Sequence, residues 1–152
     1  MRALRTISAG IAALALAAAA AGPVAAEPTS LHDNGNVRFS QIRYESSGKG
    51  LNGEYVKLTN GHTYPVDLRS WSLTETYSGH RYVFPDKWLA PGASVWLYSG
   101  RGRNGGANLY WNAAGYVWHN PGDLAVLRNG RSTRVDSCGW QGLGRGFTNC
   151  LN

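Results

Sequence analysis

The residues that could do chemistry are few and scattered. The histidines are His32, His62, His80 and His119, and no two stand at metal-ligand spacing. His62 and His80 fall in predicted turns, and His119 suits an exposed or turn-capping place. Asp33-Asn34-Gly35 matches only the start of a calcium loop, without the acidic ligand that closes one. Two stretches fit the dinucleotide pattern: Gly48-Lys49-Gly50-Leu51-Asn52-Gly53 and Gly100-Arg101-Gly102-Arg103-Asn104-Gly105. Holding a pyrophosphate needs a helix N-terminus directly after the glycines. A strand pattern follows the first, and Leu109-Tyr110-Trp111 follows the second, so both read as flexible loops. There is no Gly-x-Ser-x-Gly elbow. The nine carboxylates are dispersed, with no evident acid and base pair. Glu54 is the most inward-looking of them, and a strand-end salt bridge is its simplest use. The sequence therefore points away from an enzyme, and no cofactor or metal is expected.

Two features remain. Cys138 and Cys150 are the only cysteines. Nothing around either supplies a base or a helix N-terminus that would create a reactive thiolate. In an exported chain such a pair forms a bridge. A loop of this length would stabilise the fold by about 3 kcal/mol in the chain-entropy account. The second feature is aromatic. If Val95 and Leu97 face the core, Trp96 and Tyr98 face outward together. Arg101 and Arg103 follow, with Tyr110, Trp111, Tyr116 and Trp118 close behind. Outward aromatics can stack sugar rings or bases and arginines can hold phosphate, although such rings also simply cover a sheet. Trp96, Tyr98, Arg101 and Arg103 form the candidate ligand surface.

The N-terminus bears on where this chemistry would occur. Arg2 and Arg5 precede an uncharged Ala- and Leu-rich run, Gly22-Pro23 breaks it, and Val24-Ala25-Ala26 offers small side chains for cleavage. This is the pattern of a secretory signal over residues 1–26, cut after Ala26, and the run is short for a membrane anchor. The mature chain should then be soluble and extracellular, without a transmembrane segment. Losing Arg2 and Arg5 lowers the formal net charge from +6 to +4. A mildly basic chain suits a polyanion or an anionic envelope polymer without requiring either. Arg outnumbers Lys 12 to 3, a skew that coding bias explains as well as binding does.

After a polar lead-in at residues 27–36, β signals run almost without relief, and turn residues recur at sandwich-like intervals. Strands are expected at Val37–Glu45, with a bulge where the apolar parity switches between Phe39 and Ile42, and at Glu54–Asn60. A third is expected from Val66 through Leu73, with another parity switch. Further strands are expected at Arg81–Phe84, Ser94–Tyr98, Leu109–Trp111 and Leu124–Arg128. Asn129-Gly130 signals a type I′ hairpin returning through Ser132–Ser137. The 20 glycines argue against long helices, and the six tryptophans are expected to supply most of the core.

Taken in order, several of these segments resemble the lamin tail domain family. The resemblance rests on Asn52–Asn60 (Asn-Gly-Glu-Tyr-Val-Lys-Leu-Thr-Asn), Val66–Leu73, Gly79–Pro85, Leu89–Gly92 and Ser99–Gly102. It continues through Leu109–Trp111, Val117–Arg128 and Val135–Cys138. It implies an all-β, immunoglobulin-like β-sandwich over residues 37–152 and no catalytic constellation. No heptad region is present, so filament assembly of the lamin type is not implied. The expected role is an exported binding, interaction or structural module; the alternatives are a polysaccharide- or nucleic-acid-binding accessory protein and, less favoured, a thiol or redox enzyme using Cys138 and Cys150. Its partner could be a cell-envelope polymer, an extracellular protein or a polyanion such as nucleic acid.

Overall fold

A computed structural model describes residues 36–142 and 144–150. The leader expected at 1–26, and all of the lead-in except Asn36, lie outside the described residues. Eleven strands follow one another: β1 (Val37–Arg43), β2 (Tyr55–Asn60), β3 (Val66–Asp67), β4 (Ser72–Glu75), β5 (Arg81–Val83), β6 (Trp88–Leu89), β7 (Ser94–Tyr98), β8 (Asn108–Tyr110), β9 (Gly122–Arg128), β10 (Arg134–Gln141) and β11 (Phe147–Asn149). They build a five-stranded sheet in the order β11-β1-β2-β7-β8 and a four-stranded sheet in the order β10-β9-β4-β5. The pair β3-β6 stands apart. This is the expected all-β, immunoglobulin-like sandwich.

Alternation makes the core. Val56 and Leu58 on β2, Val95 and Leu97 on β7, and Leu73 and Leu127 from the opposing sheet are all buried. Each such side chain contributes roughly 1.5–3 kcal/mol by leaving water. Strand β1 and the residue after it keep four side chains in this core despite the parity switch, because the register of β1 with β2 shifts between Phe39 and Gln41. The bulge lets Val37 and Phe39 on one side of it, and Ile42 and Tyr44 on the other, all point inward. It also diverts the Phe39 N–H from the ladder to the Asp136 carboxylate of β10, 2.7 Å away in the other sheet.

Three expectations need correction. The segment Val66–Leu73 is not one bulged strand. β3 pairs with β6, the chain turns with Ser70 at φ 63°, and β4 enters the four-stranded sheet. The parity switch marks a crossing between sheets. The hairpin after β9 is not type I′, because neither Asn129 nor Gly130 takes the left-handed conformation; Ser132 does, at φ 63°. The Asn129 side-chain oxygen accepts the Arg131 and Thr133 N–H groups and shapes the longer loop. Finally, tryptophan is not the main core material. Trp118 and Trp140 are buried, Trp71 and Trp111 pack at the margin, and Trp88 is 59% exposed. Aliphatic side chains and phenylalanine fill the rest.

Two turns set the pairing of β2 and β7. Asn60 ends β2 fully buried, and its amide donates to Tyr64, Leu89 and Ala90 carbonyls while accepting the His62 N–H. The Ala90-Pro91-Gly92-Ala93 turn, closed by Ala93 N–H to Ala90 C=O, needs Gly92 at φ 69°. Together they deliver β7 beside β2 in fixed register.

Candidate binding face

The five-stranded sheet turns its second face outward, and the strand register aligns that face in rows. One row reads Phe147, Arg43, Tyr55, Tyr98 and Tyr110 across β11, β1, β2, β7 and β8. The next reads Asn149, Gln41, Lys57, Trp96 and Asn108. A third, shorter row pairs Arg38 with Thr59 and Thr59 with Ser94. Three basic residues lie in these strands, and no Asp or Glu does.

The aromatic side chains are half-buried because they cover one another. Tyr98 lies between Tyr55 and Tyr110, with ring centroids 5.9 and 5.4 Å away. The Lys57 ammonium sits 5.0 Å over the Trp96 ring, a cation–π contact. Tyr55 donates its hydroxyl to the Gln41 side chain, and Gln41 donates in turn to Asn149. Burial pushes the Tyr98 phenol above its ordinary value of 10, and the Tyr110 and Tyr55 phenols add to the rise. At neutral pH it therefore remains a neutral hydrogen-bond donor.

The four residues singled out from sequence are thus brought together in part. Trp96 and Tyr98 do face outward side by side. Arg101 and Arg103 are exposed on the loop after β7. That loop folds back over the face, and its Gly102 backbone packs so closely on the Tyr110 ring that a Cβ there would overlap it. Of the other aromatics, Tyr110 joins the face while Trp111 and Trp118 turn toward the core. Sequence reading passed over Tyr55, Gln41 and Arg43. Their outward parity was available, but their adjacency to Trp96 and Tyr98 depends on the strand order.

The carboxylates behave differently. Glu54 is buried without an ion pair among the described residues. It accepts the Val117 N–H at 3.0 Å, so the expected strand-end salt bridge is replaced by a cap on the chain entering the β9 loop. Burial raises its pKa above 4.5, against the lowering effect of the Val117 and Trp118 N–H groups. It closes the floor of a cleft of about 380 Å³ lined also by Glu45, Tyr116, Trp118 and His119. Glu75 and Asp123, far apart in sequence, do meet, which corrects the view that the acids are all dispersed. Burial opposes ionisation of Glu75, but bonds from Ser78 N–H, the His80 ring, Asp123 and His80 N–H outweigh it and hold Glu75 low. Burial pushes Asp123 up despite bonds from His119 and Leu124 N–H, and the Glu75 charge adds to that rise. Both groups gather backbone N–H donors: Ser78 on Glu75, and Thr76, Tyr77 and Leu124 on Asp123. His119 stacks on Tyr77 and bonds the Gly122 carbonyl, a turn-capping place. The arrangement fixes loops.

Both glycine-rich stretches lack a phosphate-binding helix. Gly50–Gly53 forms one 3-10 turn that leads into β2, and Gly100–Gly105 is loop. Among the described residues no group of three or more His, Cys, Asp or Glu side chains could hold a metal, and no helix is long and apolar enough to cross a membrane. Cys138 and Cys150 form a disulfide, with Cα atoms 5.7 Å apart. It joins β10 of one sheet to the end of β11 in the other.

No curated protein matches the chain. The Lamin Tail Domain profile matches residues 30–142, a span from before β1 to the end of β10 that leaves out β11 and Cys150. With that match over most of its length and the sandwich it implies, the chain belongs to the lamin tail domain family.

Proposed function

We propose that this protein is an exported, non-catalytic binding module that engages its partner through the outer face of the five-stranded sheet, at the cell surface or in the medium. Membership of a family of non-enzymatic immunoglobulin-like domains supports the non-catalytic part. The carrying observation is the face itself: aligned aromatic, amide and basic side chains with no acid among them. The buried carboxylates hold backbone N–H groups, and the cysteines are joined, so neither set supplies an evident acid–base or thiol centre. Export rests on the charged start, apolar run and small-residue exit of residues 1–26.

Two measurements test this. Purified protein is assayed for hydrolysis of nucleic acid, peptide and glycan, and no turnover is expected. Turnover that survives purification and disappears on a single substitution would overturn the non-catalytic reading. N-terminal sequencing of protein recovered from the medium should begin at Glu27, whereas uncut protein retained inside the cell would overturn export.

A further inference from the structure

We infer that the outer face of the five-stranded sheet takes an anionic polysaccharide, laid across the strands. The inference rests on the reading of this face as the binding surface and adds the chemical class of its ligand.

Charge gives the first argument. Arg38, Arg43 and Lys57 all point outward from strands that contain no acid. The acids of the sandwich strands, Glu75, Asp123 and Asp136, belong to the opposite sheet. The strands of the face therefore attract anions, and the nearest acid, the exposed Glu45, lies past the end of β1. Arg101 and Arg103 extend the same sign beyond the Tyr98 and Tyr110 end.

The rings decide between polyanions. A single-stranded nucleic acid gains most from bases stacked on open aromatic faces. Here the tyrosine rings already lie against one another, at 5.9 and 5.4 Å, and Lys57 covers Trp96. These contacts take up ring surface that a stacked base would use. What the rings leave free is polar, in the Tyr98 and Tyr110 phenols, and the neighbouring row adds the amides of Asn108 and Asn149, both exposed. Hydroxyl and amide groups set among separate cations match a chain of hydroxylated rings bearing acid groups.

The experiment uses three probes with purified protein: polygalacturonate, neutral dextran and oligothymidylate. Polygalacturonate should bind, dextran should not, and raising salt toward 1 M should weaken binding as charges are screened to about 3 Å. The pair Arg43→Ala and Lys57→Ala should lose about tenfold in affinity. The control Arg43→Lys with Lys57→Arg should retain most of it, and circular dichroism checks that each variant folds. Failure to bind polygalacturonate, or tighter binding of oligothymidylate that the alanine pair abolishes, overturns the ligand class and leaves the face reading standing. Polygalacturonate binding that the alanine pair does not change overturns the face reading as well.

Discussion

The two sheets of this sandwich use charge in opposite ways. The four-stranded sheet carries Glu75, Asp123 and Asp136, and each carboxyl turns back to gather backbone N–H groups at a bulge, a loop or a strand start. The five-stranded sheet carries only bases, and these stand on its outer surface beside aromatic rings. Anionic groups thus serve the architecture, while cationic groups remain available to solvent and to anything that docks. Removing these three carboxylates should therefore be costly to stability, whereas removing the bases of the five-stranded sheet should be nearly neutral to it and should instead alter binding; the exposed Arg81, Arg128 and Arg134 of the four-stranded sheet fall outside this contrast.

The largest test of this contrast is Asp136→Ala. It removes the acceptor of the Phe39 N–H at the bulge and leaves a buried donor without its partner, so about 3 kcal/mol of stability should be lost. Urea denaturation measures it, and a loss below about 0.5 kcal/mol would place Asp136 among ordinary surface positions. A smaller, pH-dependent effect belongs to Glu54→Gln. Because burial raises the Glu54 pKa, the folded chain holds that proton to higher pH than the unfolded chain does. The associated stability is complete below pH 4.5 and is lost as pH rises through the folded value. The amide still accepts the Val117 N–H and does not titrate. Wild-type protein should therefore lose stability relative to Glu54→Gln as pH rises, and a difference that grows in the opposite direction would contradict the burial argument. The smallest effect is Lys57→Ala on the face. Loss of its contact with Trp96 should cost only about 0.5 kcal/mol by the same denaturation measurement. A loss of several kcal/mol would make the face structural and erase the contrast.

Much of this fold was legible because side-chain parity reports which residues face inward. The bulge in β1 showed as a switch between Phe39 and Ile42, and the outward pair Trp96 and Tyr98 followed from Val95 and Leu97. Parity fails where two different events leave the same trace. A switch between Val66 and Leu73 fits a bulge or a crossing between sheets, and Ser70 makes it a crossing. Asn129-Gly130 misled because the loop places its left-handed residue at Ser132. The face was half legible for a related reason. Each strand's outward residues could be named, but that Tyr55 and Lys57 stand beside Tyr98 and Trp96 is a property of strand order, set by long-range pairing. The Glu75–Asp123 pair was hidden in the same way, since β4 and β9 meet only in the folded sheet.

Strand β1 lies between β2 and β11, and its pairing with β11 includes a side-chain contact between residues 108 positions apart. During synthesis the flank of β1 that β11 will cover stays open until β11 arrives. Until then it is a row of unpaired N–H and C=O groups able to recruit another chain. The closing segment then docks onto the bulge itself, where Cys150 N–H meets the Ser40 carbonyl, and is fastened to the opposite sheet by the bridge to Cys138. A ribosome stalled just before β11, or a protease that trims it, would therefore release a nearly complete sandwich with an adhesive border. Loss of β11 should register first as a tendency to aggregate.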